Sequence, residues 1–230
     1  MSLTAIKKEL QTYASPVKAI ASQRFFKTGI GQYSAHDTFI GITVPETRKT
    51  VKRYTDLSLE DIEKLLHSKE HEFRLAALFL LIEWKNKKEA FDVFMRNTQY
   101  VNNWDLVDQS AREIVGEYIK NTDLRFYTKL AKSENMWERR IAIVATHAYI
   151  MKGDSSMTFK LAELLMGDTQ DLMHKAVGWM LREVGKRCSK EELIKFLRIH
   201  YKEMPRTMWR YAVEHLSDEE KSFGVKVKRG

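Results

Sequence analysis

Short apolar stretches opened by a basic residue recur along this chain at near-equal intervals: RLAALFLL from Arg74, RIAIVATH from Arg140, KAVGWMLR from Lys175 and RYAVEHL from Arg210. On the same frame, DQSAREIV places Asp108 between the first two, and the successive steps are 34, 32, 35 and 35 residues. A period of this size constrains the fold more than any other feature of the chain. A unit of that length holds a pair of short helices, cannot bury its apolar face alone, and becomes stable by stacking on its neighbours. The predicted architecture is all-α, an α-α solenoid. Stacking also turns one frame position into a row along one face. That row is expected to be cationic, with the carboxylate of Asp108 set into it.

Composition agrees with helices. The 230 residues include only 10 Gly and 3 Pro, and no alternating stretches bounded by turn residues mark strands. Residues 1–225 are expected to form one helical-repeat domain, and residues 226–230 a basic C-terminal tail. The formal charge of +8 favours an anionic partner, nucleic acid first. A single cysteine, Cys188, excludes an internal disulfide and a Cys-rich metal site. No apolar run approaches the roughly 20 residues of a membrane span. The start MSLTAIKKEL lacks the apolar core of a signal peptide. A cytoplasmic monomer without cofactor, metal or membrane contact is the expectation.

Capping chemistry predicts helix starts. Thr43-Val-Pro-Glu46 and Ser189-Lys-Glu-Glu192 read as capping boxes, and Ser58-Leu-Glu-Asp61 is similar. Asn102 or Asn103 can cap a helix near Trp104, Asn135 one near Trp137, and Pro205 suits a first turn. Gly153-Asp-Ser-Ser and Met166-Gly-Asp-Thr read as interhelical turns. The stretch up to about residue 40 stands outside the repeat frame.

The segment Asn102-Asn-Trp-Asp-Leu-Val-Asp108 carries the most chemistry. Trp104 and Asp108 are four apart and share a helix face. Asp105 falls in the first turn, where a carboxylate suits the spare amides, and reads as a cap. An acid among cations stays ionised and suits a developing positive charge; an ion pair with Arg140 is the plainer alternative. Trp137 and Trp179 flank Arg140 and Lys175 and offer either core packing or aromatic faces for a base. Trp84 and Trp209 are assigned to the core. His67-Ser-Lys-Glu-His71 matches a short zinc-peptidase pattern that lacks a further ligand. Gly29-Ile-Gly31 lacks the third glycine of a nucleotide loop.

Five pieces in order resemble the DNA alkylation repair family of the AlkD type: Arg24-Phe-Phe-Lys-Thr-Gly29, Phe39-Ile-Gly-Ile-Thr-Val-Pro-Glu-Thr-Arg48, Asn103-Trp-Asp-Leu-Val-Asp108, Trp137-Glu-Arg-Arg140 and Lys175-Ala-Val-Gly-Trp-Met-Leu-Arg-Glu183. The resemblance implies a superhelix of HEAT-like pairs whose concave basic face holds duplex DNA. It also implies a DNA glycosylase that hydrolyses the N-glycosidic bond of positively charged alkylated purines such as 3-methyladenine and 7-methylguanine. On it, Asp108 is the catalytic position, Trp104 and Trp179 are substrate-binding, and Arg140 contacts the backbone near the lesion. Arg74, Lys175, Arg210 and Trp137 are the accompanying DNA-binding candidates. Tyr33 is the candidate for a family tyrosine. A family basic residue is missing, with Ala148 in its place and Lys152 displaced. Two other functions remain open: a non-catalytic binder of damaged or branched DNA on the same scaffold, and a helical-repeat scaffold for an acidic protein.

Overall fold

A computed structural model describes residues 1–35 and 37–225; the expected tail, 226–230, lies outside the described residues. The chain forms two compact units, divided between Ser110 and Ala111. The first contains α1 (Leu3–Gln11), α2 (Pro16–Phe25), α3 (Val44–Val51), α4 (Leu59–Leu66), α5 (His71–Glu83), α6 (Lys87–Arg96) and all of α7 (Trp104–Ala111) but its last residue, with a 3-10 turn at Thr98–Tyr100. The second opens on a π-helical turn, Arg112–Gly116. It continues through α8 (Leu124–Ala131), α9 (Met136–Ala145), α10 (His147–Ile150), α11 (Ser156–Leu164), α12 (Asp171–Arg187), α13 (Lys190–His200), α14 (Arg206–Ala212) and α15 (Ser222–Val225). Among the described residues the only β-type pairing is an isolated bridge between Thr38 and Glu70. No described helix is long and apolar enough to cross a membrane.

The fold is an all-α array of HEAT-like helical pairs. In the first unit α4 packs on α5, and α5 also packs on α3 and α6. In the second, α8 pairs with α9 and α11 with α12, while α9, α12 and α14 stack in sequence. Caps begin these helices where the polar residues foretell them. Thr43 and Glu46 form a full capping box at α3. Ser58, Asn135 and Ser189 each accept a first-turn amide. The Asn103 side chain accepts the Trp104 amide at 2.8 Å.

Burial drives the stacking. Residues 71 to 81 of α5 are all buried, which marks a helix enclosed on every side. Each fully buried Leu or Phe there contributes roughly 1.5–3 kcal/mol. In the second unit, close approach depends on Gly178 of α12, where a Cβ would meet the Met208 carbonyl oxygen at 2.5 Å.

The repeat frame is confirmed with one correction. Asp108, Arg140, Lys175 and Arg210 are each the fifth residue of their helices, α7, α9, α12 and α14. Arg74 is the fourth residue of α5 and belongs to a different position. Its Nη1 donates to the Ser68 and Lys69 carbonyls at 3.1 and 2.9 Å. Arg139, fourth in α9, donates in the same way to Ser133 and Glu134 at 2.9 and 3.0 Å. His174, fourth in α12, likewise meets the Asp168 carbonyl six residues before it. This fourth position ties down the turn that precedes each helix. The fifth position of α5 is Leu75, not a cation.

Candidate nucleic-acid interface

In the first unit, α7 carries Trp104 and Asp108 one helical turn apart, both half-buried. The Trp104 indole is held by the segment that precedes α3. Its Nε1–H donates to the Tyr33 hydroxyl at 3.1 Å. Its ring stacks on Phe26 with centroids 5.2 Å apart, and Phe25 meets it edge-on at 5.8 Å. Phe25 itself is 66% exposed. The arrangement fixes one aromatic plane beside a carboxylate on the same helix face.

A buried ionic cluster beneath this aromatic group joins three segments that are distant in sequence. His71 lies between Asp37, 3.3 Å from Nδ1, and Asp105, 2.8 Å from Nε2. Asp37 also accepts from Arg74 at 2.6 Å, Asn103 at 3.0 Å and Asn102 at 3.2 Å. The His71 ring stacks on Phe39 at 4.5 Å, and Phe39 on Phe26 at 4.9 Å. Burial alone would lower the His71 pKa, but the charge and hydrogen bond of Asp105, with Asp37, raise it to about 9. Burial alone would raise the Asp37 carboxyl, yet His71, Arg74 and Asn103 hold it well below the usual carboxylate range. With His71 protonated, two carboxylates face two cations, and the buried cluster is neutral.

This geometry revises several expectations. Arg74 is only 4% exposed and bound to Asp37; it is a structural arginine rather than part of a solvent-facing cationic row. Asp105 does cap, accepting the Leu106 amide at 2.9 Å, but its other oxygen pairs with His71. His67 and His71 serve different partners, since His67 contacts Asn97 at 2.7 Å and stacks on Tyr100.

In the second unit, Arg140 is 5% exposed and its Nη1 donates to the Leu172 carbonyl at 2.6 Å, tying α9 to α12. Trp137 is 8% exposed and part of the packed core, so it is not the surface aromatic expected for DNA. Lys175 and Trp179 share one face of α12, four residues apart. Lys175 pairs with Asp171 at 2.8 Å. Trp179 is half-buried and faces the His147 ring at 6.0 Å. Burial, followed by the charge of Arg112, lowers the His147 pKa. Arg210 is exposed on α14. The row therefore divides into a buried arginine, Arg140, and the accessible cations Lys175 and Arg210.

Sequence reasoning left Tyr33 as a candidate and passed over Arg48. Arg48 is the fifth residue of α3, the same position as Asp108 and its equivalents, and it is exposed. Its distance of 26 residues from Arg74 breaks the apparent period. The capping box at Thr43 was the signal that could have placed it, because it sets the helix start from which position is counted.

A family model described as "DNA alkylation repair enzyme" matches residues 6–216. Among solved structures, one described as "Predicted DNA alkylation repair enzyme from Enterococcus faecalis" is similar, with a TM-score of 0.69 and 21% identity. The match covers 90% of this chain and 99% of that one, and at this identity it bears on the fold. A search of curated proteins found no match.

Proposed function

This chain belongs to the DNA alkylation repair enzyme family, and from that premise we propose that it is a glycosylase for positively charged alkylated purines in duplex DNA. The observation that carries the reading is the Trp104–Asp108 pair, one turn apart on α7, with the indole fixed by Tyr33 and Phe26. A purine alkylated at N3 or N7 carries a positive charge and is a good leaving group, so the base itself needs little acid assistance. The demand falls on the sugar, which becomes oxocarbenium-like as the bond breaks. Asp108 supplies a fixed negative charge for that cation and orients the attacking water. Trp104 offers a π face to the cationic nucleotide.

The second unit contributes contacts of two kinds in this reading. Trp179 offers an aromatic face to nucleic acid, and Lys175 and Arg210 bind phosphates and set register without reading sequence. Arg140, largely enclosed, holds α12 in place through Leu172. Arg74 and Trp137 have no part in DNA contact here.

The test is incubation with duplex DNA containing 7-methylguanine, followed by chromatographic detection of free base. Release of 7-methylguanine with no release of uracil, a neutral leaving group, is expected. Efficient uracil excision overturns the charge-based mechanism. Salt-dependent duplex binding without release of any cationic base replaces it with the non-catalytic DNA-binding function.

A further inference from the structure

The first unit carries a groove of about 320 Å³ beside α3, lined by Arg48, Lys49, Lys52, Val51, Phe79 and Glu83 among others. Its cations come from helical geometry: Arg48 and Lys52 are four apart and share a face, with Lys49 beside them. Among the described residues no carboxylate pairs with any of the three, although Glu83 stands at the groove. Exposed lysines alone would be an ordinary solvated surface. Arg48 is different because its guanidinium is held on two sides. It lies over the Phe79 ring, 3.9 Å from the centroid, and its Nη2 donates to Gln109 Oε1 at 2.7 Å. Stacking on an aromatic face and one neutral hydrogen bond fix the plane of a guanidinium without neutralising it. The remaining N–H groups keep their full charge for an outside acceptor. Gln109 immediately follows Asp108 on α7, so the bond that orients Arg48 is made to the neighbour of the candidate catalytic residue.

We propose that this α3 groove is a phosphate-binding site, with Arg48 as its oriented donor and Lys49 and Lys52 as its flanking charges, and that it seats the backbone of the duplex whose lesion lies at Asp108. The identity of the bound strand rests on the function proposed above; the affinity for phosphate rests on the groove alone. A fixed guanidinium suits a phosphate better than a mobile ammonium, because two parallel N–H donors match two phosphate oxygens. The groove also returns a cation to the fifth position of the repeat at α3, where α5 carries Leu75.

The experiment measures the salt dependence of binding to a short duplex for the unmodified chain, Arg48→Ala and Lys49→Ala/Lys52→Ala, each first checked for an unchanged unfolding midpoint. Loss of one phosphate contact flattens the slope of log affinity against log salt by about 0.9. The single variant is expected to lose about that much and the double variant roughly twice it. Duplex binding with the same slope in all three proteins overturns the site. Should the unmodified chain bind no duplex, the function reading fails and the groove is tested by itself, with inorganic pyrophosphate titrated against the Lys49 and Lys52 side-chain NMR signals. Saturable shifts that Arg48→Ala weakens uphold the phosphate site. Absence of shifts overturns it.

Discussion

His71 Nε2 sits 2.8 Å from the Asp105 carboxylate in the interior of the first unit, and this contact makes the fold sensitive to alkali. The His71 pKa is raised to about 9 from an ordinary value of 6.5. A raised folded pKa means that the native state holds the proton more tightly than the unfolded chain. The stabilisation is fully present below about pH 6.5 and is lost as pH rises through about 9. Its size is on the order of 3 kcal/mol. Denaturant unfolding from pH 6 to 10 should show a decline that His71→Gln abolishes. Equal pH profiles for the two proteins would remove His71 from this role.

Asp108→Asn should leave the fold and DNA affinity intact and slow release of 7-methylguanine on the order of 100-fold, about 2.7 kcal/mol. Asp105→Asn would be a poor control, because it removes one of the two carboxylates that face a buried imidazolium and should cost about 3–5 kcal/mol of stability. Asp92→Asn, which alters a surface pair with Lys88, is the suitable comparison. Single-turnover rates decide the matter, and full activity in Asp108→Asn would exclude the proposed chemistry.

Arg140 and Arg210 share a repeat position but should fail differently. Arg140→Ala removes a buried donor to the Leu172 carbonyl and should destabilise the protein by about 1–3 kcal/mol. Arg210→Ala, at an exposed site, should leave stability unchanged and lower the salt slope of duplex binding by about 0.9. Calorimetry and a salt titration on each variant separate the two. A flattened slope without destabilisation for Arg140→Ala would return it to the phosphate-binding set.

Gly178→Ala should cost about 1–3 kcal/mol, since the added methyl meets the Met208 carbonyl oxygen and the Tyr211 side chain and must push α14 from α12. Gly167→Ala, where a Cβ meets nothing within 4 Å, should be nearly neutral. Matching unfolding midpoints for the two variants would show that α12 and α14 can separate freely.

The residues legible in the sequence were those whose role is local or periodic. Thr43 with Glu46, and Ser189 before Glu192, announce helix starts because capping acts over three residues. The fifth-position series Asp108, Arg140, Lys175 and Arg210 is visible because stacked pairs repeat at a nearly fixed length. Trp104 and Asp108 could be placed on one face from their spacing, and so the centre of the candidate site was readable from the chain. Arg74 entered the wrong series because a one-residue offset is small against a period that itself varies by three.

What the tertiary structure decided is which charges are spent inside. Asp37, His71 and Asp105 are separated by 34 residues each, and no local rule joins them. Only when the segment before α3 closes over α5 and α7 do they neutralise one another and, with Arg74, become structural. The same closure brings Tyr33 and Phe26 onto Trp104. Arg48 followed the opposite course: Phe79 and Gln109 fix it without cancelling its charge. The sequence by itself determined the helices, their period and the positions that recur along them, because these follow from spacing and capping. Whether a recurring cation is buried and paired or open to a phosphate depends on desolvation and on partners brought from elsewhere in the chain, which packing alone supplies.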